Sequence, residues 1–212
     1  MINIKCFEFN FLSVNTYVVW DDTMECAIID PGCFYQGENE TLADFISGHG
    51  LKVRKLLNTH LHFDHVFGNH FVEQTYGIKA NGNTADNPWV MEIKKRLSVF
   101  GLEYEGLVDP ILPENELIEG DTVQFGNTTL HVLQVPGHSP GSLVFHDIAD
   151  HTLFSGDVLF QNGMGRTDFP DGNGPALIDG IRSKLFTLDP ETRVFPGHGP
   201  ATTIGQERKS LI

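Results

Sequence analysis

The segment His60-Leu61-His62-Phe63-Asp64-His65 places four side chains able to hold a metal ion within six positions. His60 and His62 are two apart, so in extended backbone both imidazoles face one side and reach one cation. Asp64 and His65 follow where the chain is expected to turn into a helix, and their different directions suit a second, adjacent cation. Imidazole and carboxylate donors without thiolate favour zinc, iron or manganese over a structural cysteine-zinc site. With ten histidines among 212 residues, a shuffled chain would carry H-x-H-x-D-H roughly 0.0015 times. Three later segments have the form strand, small-residue turn, metal-capable side chain: Val135-Pro136-Gly137-His138, Leu153-Phe154-Ser155-Gly156-Asp157 and Val194-Phe195-Pro196-Gly197-His198. Gly and Pro make sharp, stiff strand exits that aim one side chain at a fixed point. Singly each is a common turn; with the first cluster they complete a set of seven donors from strand ends.

The elements that must position these donors alternate. Ile2–Phe9, Thr16–Trp20 and Cys26–Asp30 are predicted strands, and Leu42, Phe45 and Ile46 give Glu38–Gly48 a helical spacing. Val53–Asn58 is a predicted strand running directly into the histidine cluster, followed by helices over Val66–Tyr76 and Asn87–Phe100, with Pro88 in the first turn of the latter. In the second half, Glu116–Phe125, Thr128–Val135, Leu143–Asp147, Thr152–Ser155 and Arg193–Phe195 are predicted strands; Pro175–Phe186 and Ile204–Lys209 are predicted helices. Two runs of strands, each followed by helix and strand, predict two sheets with helices outside, in a single domain of two similar halves over residues 1–212.

Composition narrows the partners. Fourteen Lys and Arg against 28 Asp and Glu give a net charge of −14, which repels phosphate backbones and anionic lipid; no nucleic-acid or membrane partner is expected. No apolar run approaches the ~18–20 residues of a membrane span, and Met1–Trp20 lacks the charged head and apolar run of a signal peptide. Cys6, Cys26 and Cys33 lack C-x-x-C spacing and are expected to stay reduced, as in a cytoplasmic protein. Nothing in the sequence sets an oligomeric state.

The whole pattern resembles the metallo-β-lactamase superfamily, through Asn15-Thr16-Tyr17, Ile29-Asp30-Pro31-Gly32, the histidine cluster, His138, Asp157 and His198. The resemblance implies an α+β fold, a four-layer αββα sandwich of two mixed sheets with helices on the outer faces and metals at the strand ends. It implies that His60, His62 and His138 hold one divalent ion, that Asp64, His65 and His198 hold a second, and that Asp157 bridges them, with zinc ahead of iron or manganese. Within the superfamily, Gly165-Arg166-Thr167-Asp168-Phe169-Pro170 and the segment Pro196-Gly197-His198-Gly199-Pro200 through Glu207 are similar to the glyoxalase II (hydroxyacylglutathione hydrolase) group, especially its short members. That implies a binuclear hydrolase cleaving a small-molecule thioester such as S-D-lactoylglutathione, or a related ester, by a metal-bridging hydroxide, with Asp64 orienting the nucleophile or accepting its proton. True β-lactamases of the superfamily are a poorer match, because their subclasses generally lack a complete ligand set and are secreted.

Two further residues divide between roles. Arg166 suits a substrate carboxylate or a salt bridge to Asp168 or Asp171, and Asp30 suits the second nitrogen of a ligand histidine or a turn cap. His49, His131, His146 and His151 read as surface or strand residues, and His70 as a helix residue. The rival activity is persulfide dioxygenation by a single iron held by positions corresponding to His60, His138 and Asp157; such enzymes typically place the last histidine in Pro-Ala-His-Asp, where this chain has Pro196-Gly197-His198-Gly199. A non-catalytic metal scaffold is disfavoured because no ligand position is missing. Nuclease and flavoprotein members carry added regions for which no sequence is found. The chain ends at Ile212, soon after His198, so no C-terminal helical glutathione-binding domain is expected.

Overall fold

A computed structural model of the chain describes residues 1–99, 101 and 111–210. The first sheet is built from β1 (Asn3–Phe9), β2 (Val14–Trp20), β3 (Glu25–Ile29), β4 (Lys52–Leu57), β5 (Ala80–Gly82) and β6 (Asn115–Glu116), paired in that order. The pairs β1–β2 and β2–β3 are antiparallel, and β3 through β6 run parallel. The second sheet uses β7 (Thr122–Phe125), β8 (Thr128–Gln134), β9 (Leu143–Asp147), β10 (Thr152–Gly156), β13 (Arg193–Pro196) and β14 (Thr202–Thr203), while β11 (Leu159–Phe160) and β12 (Gly163–Met164) make a separate hairpin. Its order is β14-β13-β10-β9-β8-β7, with β10 and β13 parallel and the other neighbours antiparallel.

Alternation along the strands decides the layers. Tyr17, Val19, Ala27 and Ile29 point between the sheets, where they meet Val123, Leu130, Phe145 and Phe154, whereas Val18, Cys26 and Ile28 point outward. A two-residue period makes this split, and strands that are apolar on both faces need both covered. The helices are α1 (Gln36–Gly48), α2 (Phe63–Val66), α3 (Asn69–Tyr76), α4 (Asn87–Met91), α5 (Ile93–Val99), α6 (Gly174–Gly180) and α7 (Ile204–Ser210). Leu42 and Ile46 of α1 and Val72 of α3 cover the first sheet. Leu177 of α6, Ile181 and Leu185 of a following π turn, and Ile204 of α7 cover the second. This is the α+β, αββα sandwich with two mixed sheets. Phe154→Ala, which empties the inter-sheet layer beside Tyr17 and Phe195, would cost about 3–5 kcal/mol.

Strand direction gathers the site. β8 and β10 both lie antiparallel to β9, and β13 is parallel to β10, so all three leave the second sheet at one end. His138, Asp157 and His198 follow these three exits, and the His60–His65 segment follows the exit of β4. The Leu143 N–H donates to the Thr59 carbonyl at 2.7 Å and ties the two sheets together beside the cluster.

Most predicted elements agree to within about two residues, and Leu143–Asp147 coincides. Four differ. Val66–Tyr76 is interrupted at Phe67-Gly68, where the Gly68 N–H donates to the Pro31 carbonyl at 2.7 Å and starts a new helix. Asn87–Phe100 breaks at Glu92, and Phe100 lies outside the described residues. Pro175–Phe186 begins as α-helix and ends as the π turn Ile181–Leu185. Glu116–Phe125 is not one strand: β6 closes the first sheet and β7 opens the second, with Gly120 at φ 88° between them. Periodicity does not reveal which sheet a strand joins.

Candidate active site

Extended backbone at His62 (φ −64°, ψ 147°) carries the strand geometry of β4 up to α2. It sets the His60 and His62 ring centroids 4.5 Å apart, and His138 completes the group with Nε2 2.9 Å from His62 Nδ1. Donor atoms of His60, His62 and His138 lie within 4.8 Å of one another, as do those of Asp64, His65 and His198. Asp157 stands between these triads: Oδ1 is 3.5 Å from His65 Nε2, and Oδ2 is 3.5 Å from His138 Nε2 and 3.7 Å from His198 Nε2. All seven predicted donors therefore meet. His49, His70, His131, His146 and His151 join none of the donor groups among the described residues.

The far nitrogens of His60, His65, His138 and His198 are held from outside, whereas that of His62, Nε2, is buried without a partner. His65 Nδ1 lies 3.0 Å from Asp30 Oδ2, His138 Nδ1 donates to the Arg166 carbonyl at 2.8 Å, and His198 Nδ1 faces the carbonyls of Leu12 and Ser13 at 3.1 and 3.2 Å. Such acceptors keep the proton on Nδ1 and turn the Nε2 lone pair inward. His60 Nδ1 is 3.1 Å from Thr59 Oγ1, whose own proton goes to Asp30 Oδ2 at 2.6 Å. Asp30 thus orients His65 directly and His60 through Thr59. Its backbone sits at φ 49°, held by Thr16 Oγ1 on its carbonyl and by its N–H on the Leu57 carbonyl; that conformation costs about 1–3 kcal/mol outside glycine.

Pointing inward, His60 Nε2, His65 Nε2 and Asp157 Oδ1 are buried without a hydrogen-bond partner. Each such group costs roughly 1–3 kcal/mol unless something binds it. Converging orphaned donors of this kind fit a divalent cation. The electrostatics of the cluster agree. Burial, then His65 and its fellow histidines, pushes His60 well below the ordinary histidine value; burial and His138 do this to His62. Burial would also lower His65, but Asp64, Asp157 and Asp30 outweigh it and raise it to about 10. His198 is raised against burial by its hydrogen bond to Asp64 and by Asp157. Burial opposes ionisation of Asp64, yet His65 and His198 hold its carboxyl well below the usual range. The carboxylates thus favour positive charge at this centre, the role a divalent cation would take, and metal and protons would compete for these nitrogens.

Small residues in the turn strings make this approach possible. A Cβ on Gly197 would run into Asp157 Oδ1 and His65 Cε1, and one on Gly156, at φ 49°, would run into Thr59. Tyr17 Oη donates to the Pro196 carbonyl at 2.6 Å, and Asn15 Nδ2 donates to the carbonyls of Pro196 and Gly199 at 3.0 and 2.8 Å, fixing the His198 loop. Asp86 is a positioning residue that no motif announced. It accepts from Ser139 Oγ and Gly141 N, both at 2.7 Å, and from Leu61 N at 3.3 Å, clamping the His138 turn to the first cluster.

A cavity of about 670 Å³ opens over the cluster, walled by Leu12, Phe63, Trp89, Phe160, Met164 and Phe169, with Arg96 and Arg166 also lining it. The Trp89 and Phe169 rings lie 4.1 and 5.1 Å from the His62 ring. Arg166 forks onto Asp168 through Nε and Nη2 at 2.7 and 2.6 Å, and lies 4.5 Å over Phe169. That bond holds Asp168 down at about 2. The Arg166 backbone carbonyl, not its guanidinium, reaches a member of the donor set. Trp89 and Arg96 carried no sequence signal beyond membership of a helix.

A sandwich of two mixed sheets with a His/Asp centre at the carboxyl ends of its strands defines a known class of protein, and this chain belongs to it: the family model of the metallo-β-lactamase superfamily matches residues 9–198. More particularly, the chain is 36% identical over 211 residues to the hydroxyacylglutathione hydrolase GloC of Haemophilus influenzae, covering 99% of this chain and 96% of that protein. Among solved structures it is similar to the BLEG-1 B3 metallo-β-lactamase (TM-score 0.86, 33% identity, 99% of this chain and 97% of that one). TTHA1623 in a di-iron-bound form gives a TM-score of 0.85 at 34% identity, over 97% and 98% of the two chains. ETHE1 from Myxococcus xanthus gives 0.78 at 26% identity, over 98% and 82%. The identity to BLEG-1 is a little lower than that to GloC, 33% against 36%. Membership implies divalent metal binding, which the donor groups fit. Among the described residues no helix is long and apolar enough to cross a membrane.

Proposed function

We propose that the protein is a binuclear metal-dependent hydrolase of a small-molecule thioester, with S-D-lactoylglutathione the first candidate, or of a related ester. The observation carrying this reading is the pair of complete donor triads with Asp157 between them and unpartnered buried atoms turned inward. His60, His62 and His138 would hold one ion, Asp64, His65 and His198 the other, and Asp157 both. Imidazole and carboxylate donors suit zinc first, then iron or manganese. When bound, the metals supply a water of lowered pKa and a Lewis acid for the carbonyl.

The chain's residues do the remainder. Asp64, 3.2 Å from His198 Nε2 and lining the cavity, is placed to orient the attacking water or take its proton. Asp30 and the Arg166 carbonyl fix the tautomers of His65 and His138. The aromatic wall strips water from a bound acyl group, and the cavity is of a size that holds a small molecule. Arg166 at the rim is left one guanidinium edge for the entering substrate. The reading takes residues 1–212 as one unit acting in the cytoplasm, in keeping with three free cysteines.

Metal analysis and turnover of the purified protein on a panel of acyl-thioesters test the proposal. Two metals per chain with S-D-lactoylglutathione cleavage are expected. Similarity to ETHE1 supports a second reading, persulfide dioxygenation at one iron held by His60, His138 and Asp157. One iron per chain, oxygen uptake on glutathione persulfide and no thioester cleavage would replace the first reading with the second.

A further inference from the structure

The cavity wall carries two donors that the proposed chemistry leaves unused. Trp89 is 4% exposed, and its indole Nε1 has no hydrogen-bond partner. Arg96, on α5, lays its guanidinium on that indole with Cζ 3.3 Å from the ring centroid, and its buried Nε is also unpartnered. Glu92, one turn earlier, accepts from Nη2 at 3.3 Å and leaves Nε untouched. Both residues line the cavity, and Trp89 packs against the donor His62. A buried N–H without an acceptor is destabilising, and more so when the group is charged. Burial also works against the Arg96 charge, with Glu92 and Asp171 opposing that loss. Two stacked donors, one cationic, in a wall that is otherwise apolar but for Arg166 at its rim, describe a place for an anionic acceptor. Arg166 is differently engaged, with its fork committed to Asp168 at the exposed rim.

We infer that Arg96 Nε and Trp89 Nε1 receive a carboxylate of the substrate, so that the preferred substrate is an acyl-thioester bearing a carboxylate a few bonds from its scissile carbonyl. The word thioester rests on the hydrolase reading above; the carboxylate site does not. Two N–H groups on separate planar side chains match the two oxygens of a carboxylate, and the flat guanidinium recognises that group better than an ammonium does. Distance along the wall then sets which acyl chains place their carbonyl over the donor cluster.

The test reads binding apart from turnover. The chain has two tryptophans, so Trp20→Phe leaves Trp89 as the sole indole reporter in the metal-loaded protein. Its fluorescence is titrated with the non-hydrolysable thioether 4-(benzylthio)butanoate and with the methyl ester of that compound. The carboxylate should bind about 10- to 100-fold more tightly than the ester. Arg96→Met should bring the carboxylate down to the level of the ester and leave ester binding unchanged. Arg96→Lys, which keeps charge but not the Nε donor, should restore only part of the preference. Equal binding of the two ligands by the parent protein overturns the inference without any Arg96 variant. A preference that survives Arg96→Met overturns it too, since the metals would then read the carboxylate. Equal weakening of both ligands by Arg96→Met reduces Arg96 to a prop for Trp89. Thioester turnover is scored separately: an inert panel with the ligand preference intact sinks the hydrolase reading and leaves the carboxylate site standing.

Discussion

The floor and the wall of the cavity are built on opposite terms. On the floor, donors follow the exits of β4, β8, β10 and β13, and the Nδ1 atoms of His60, His65, His138 and His198 are engaged by groups outside the cluster. Unpartnered atoms there point at one another. On the wall, Trp89 and Arg96 sit on two short helices and Phe169 on a loop, joined by an edge-on ring contact and a guanidinium laid on the indole, with polar hydrogens unclaimed. The donors of the floor are gathered and oriented by the fold alone, as electrostatic preorganisation requires; the wall keeps donors that the fold leaves unmatched. Changes in the floor should strike metal content and kcat, and changes in the wall should strike KM.

The largest expected effect tests the floor. Dialysis against a chelator should abolish hydrolysis, with recovery on adding back zinc, iron or manganese. Asp157→Ala should lower both metal content and kcat, the latter by about 1000-fold or more; full metal content by elemental analysis in this variant would show that Asp157 is not shared. Asp64→Asn should reduce kcat by about 100- to 10,000-fold with little loss of thermal stability. Turnover left unchanged by that substitution removes Asp64 from the chemistry.

One step out, Asp30→Asn keeps the shape but weakens the acceptor for His65 and Thr59. Metal affinity, measured by competition with a chromogenic chelator, should drop about 10- to 100-fold while KM of the remeltallated enzyme stays near the parent value. A KM change as large as the affinity change would blur the boundary between floor and wall. Phe169→Ala then probes the other side. Losing the ring that faces His62, His138 and Trp89 should raise KM by about 3- to 10-fold, since an aromatic contact is worth ~0.5–1.5 kcal/mol beyond its area, and should leave metal content intact.

The same contrast explains what could be read in the sequence. The floor is legible because its chemistry is local: H-x-H-x-D-H is contiguous, and Pro136-Gly137-His138, Gly156-Asp157 and Pro196-Gly197-His198 each advertise a strand exit carrying a donor. Asp30 was half legible; its Pro31-Gly32 turn was visible, but its bonds to Thr59 and His65 span 29 and 35 residues. Asp86 was not legible at all, because its partners Ser139 and Gly141 lie more than 50 positions away. The wall failed for another reason. Trp89 and Arg96 stand at ordinary helix positions, on two helices separated by a break at Glu92 that the periodicity does not announce. In the fold the loss is similar: apolar alternation through Leu117 and Val123 looks like one strand, although Leu117 leaves the first sheet and Val123 enters the second.

The smallest effect concerns histidines that belong to neither region and so calibrate both. His131 and His146 face each other across β8 and β9, with His151 nearby, but among the described residues they join no group of metal-capable donors. Burial, then His131 and His151, lowers His146 to about 4, the reverse of His65 among its carboxylates. A histidine depressed in the folded state leaves stability whole above the unfolded value near ~6.5, and stability is lost as pH falls from there to the folded value. With screening by solvent at this open face, the loss between those limits should be about 1–2 kcal/mol. His146→Gln should flatten that part of the pH profile, read as urea midpoints of the metal-free protein at pH 7, 5.5 and 4.5 beside the parent. His131→Gln, which removes only one neighbouring charge, should flatten it less. An unchanged slope in His146→Gln would mean that the acid sensitivity of the metal-free protein lies in the floor itself, among the carboxylates and the histidines they raise.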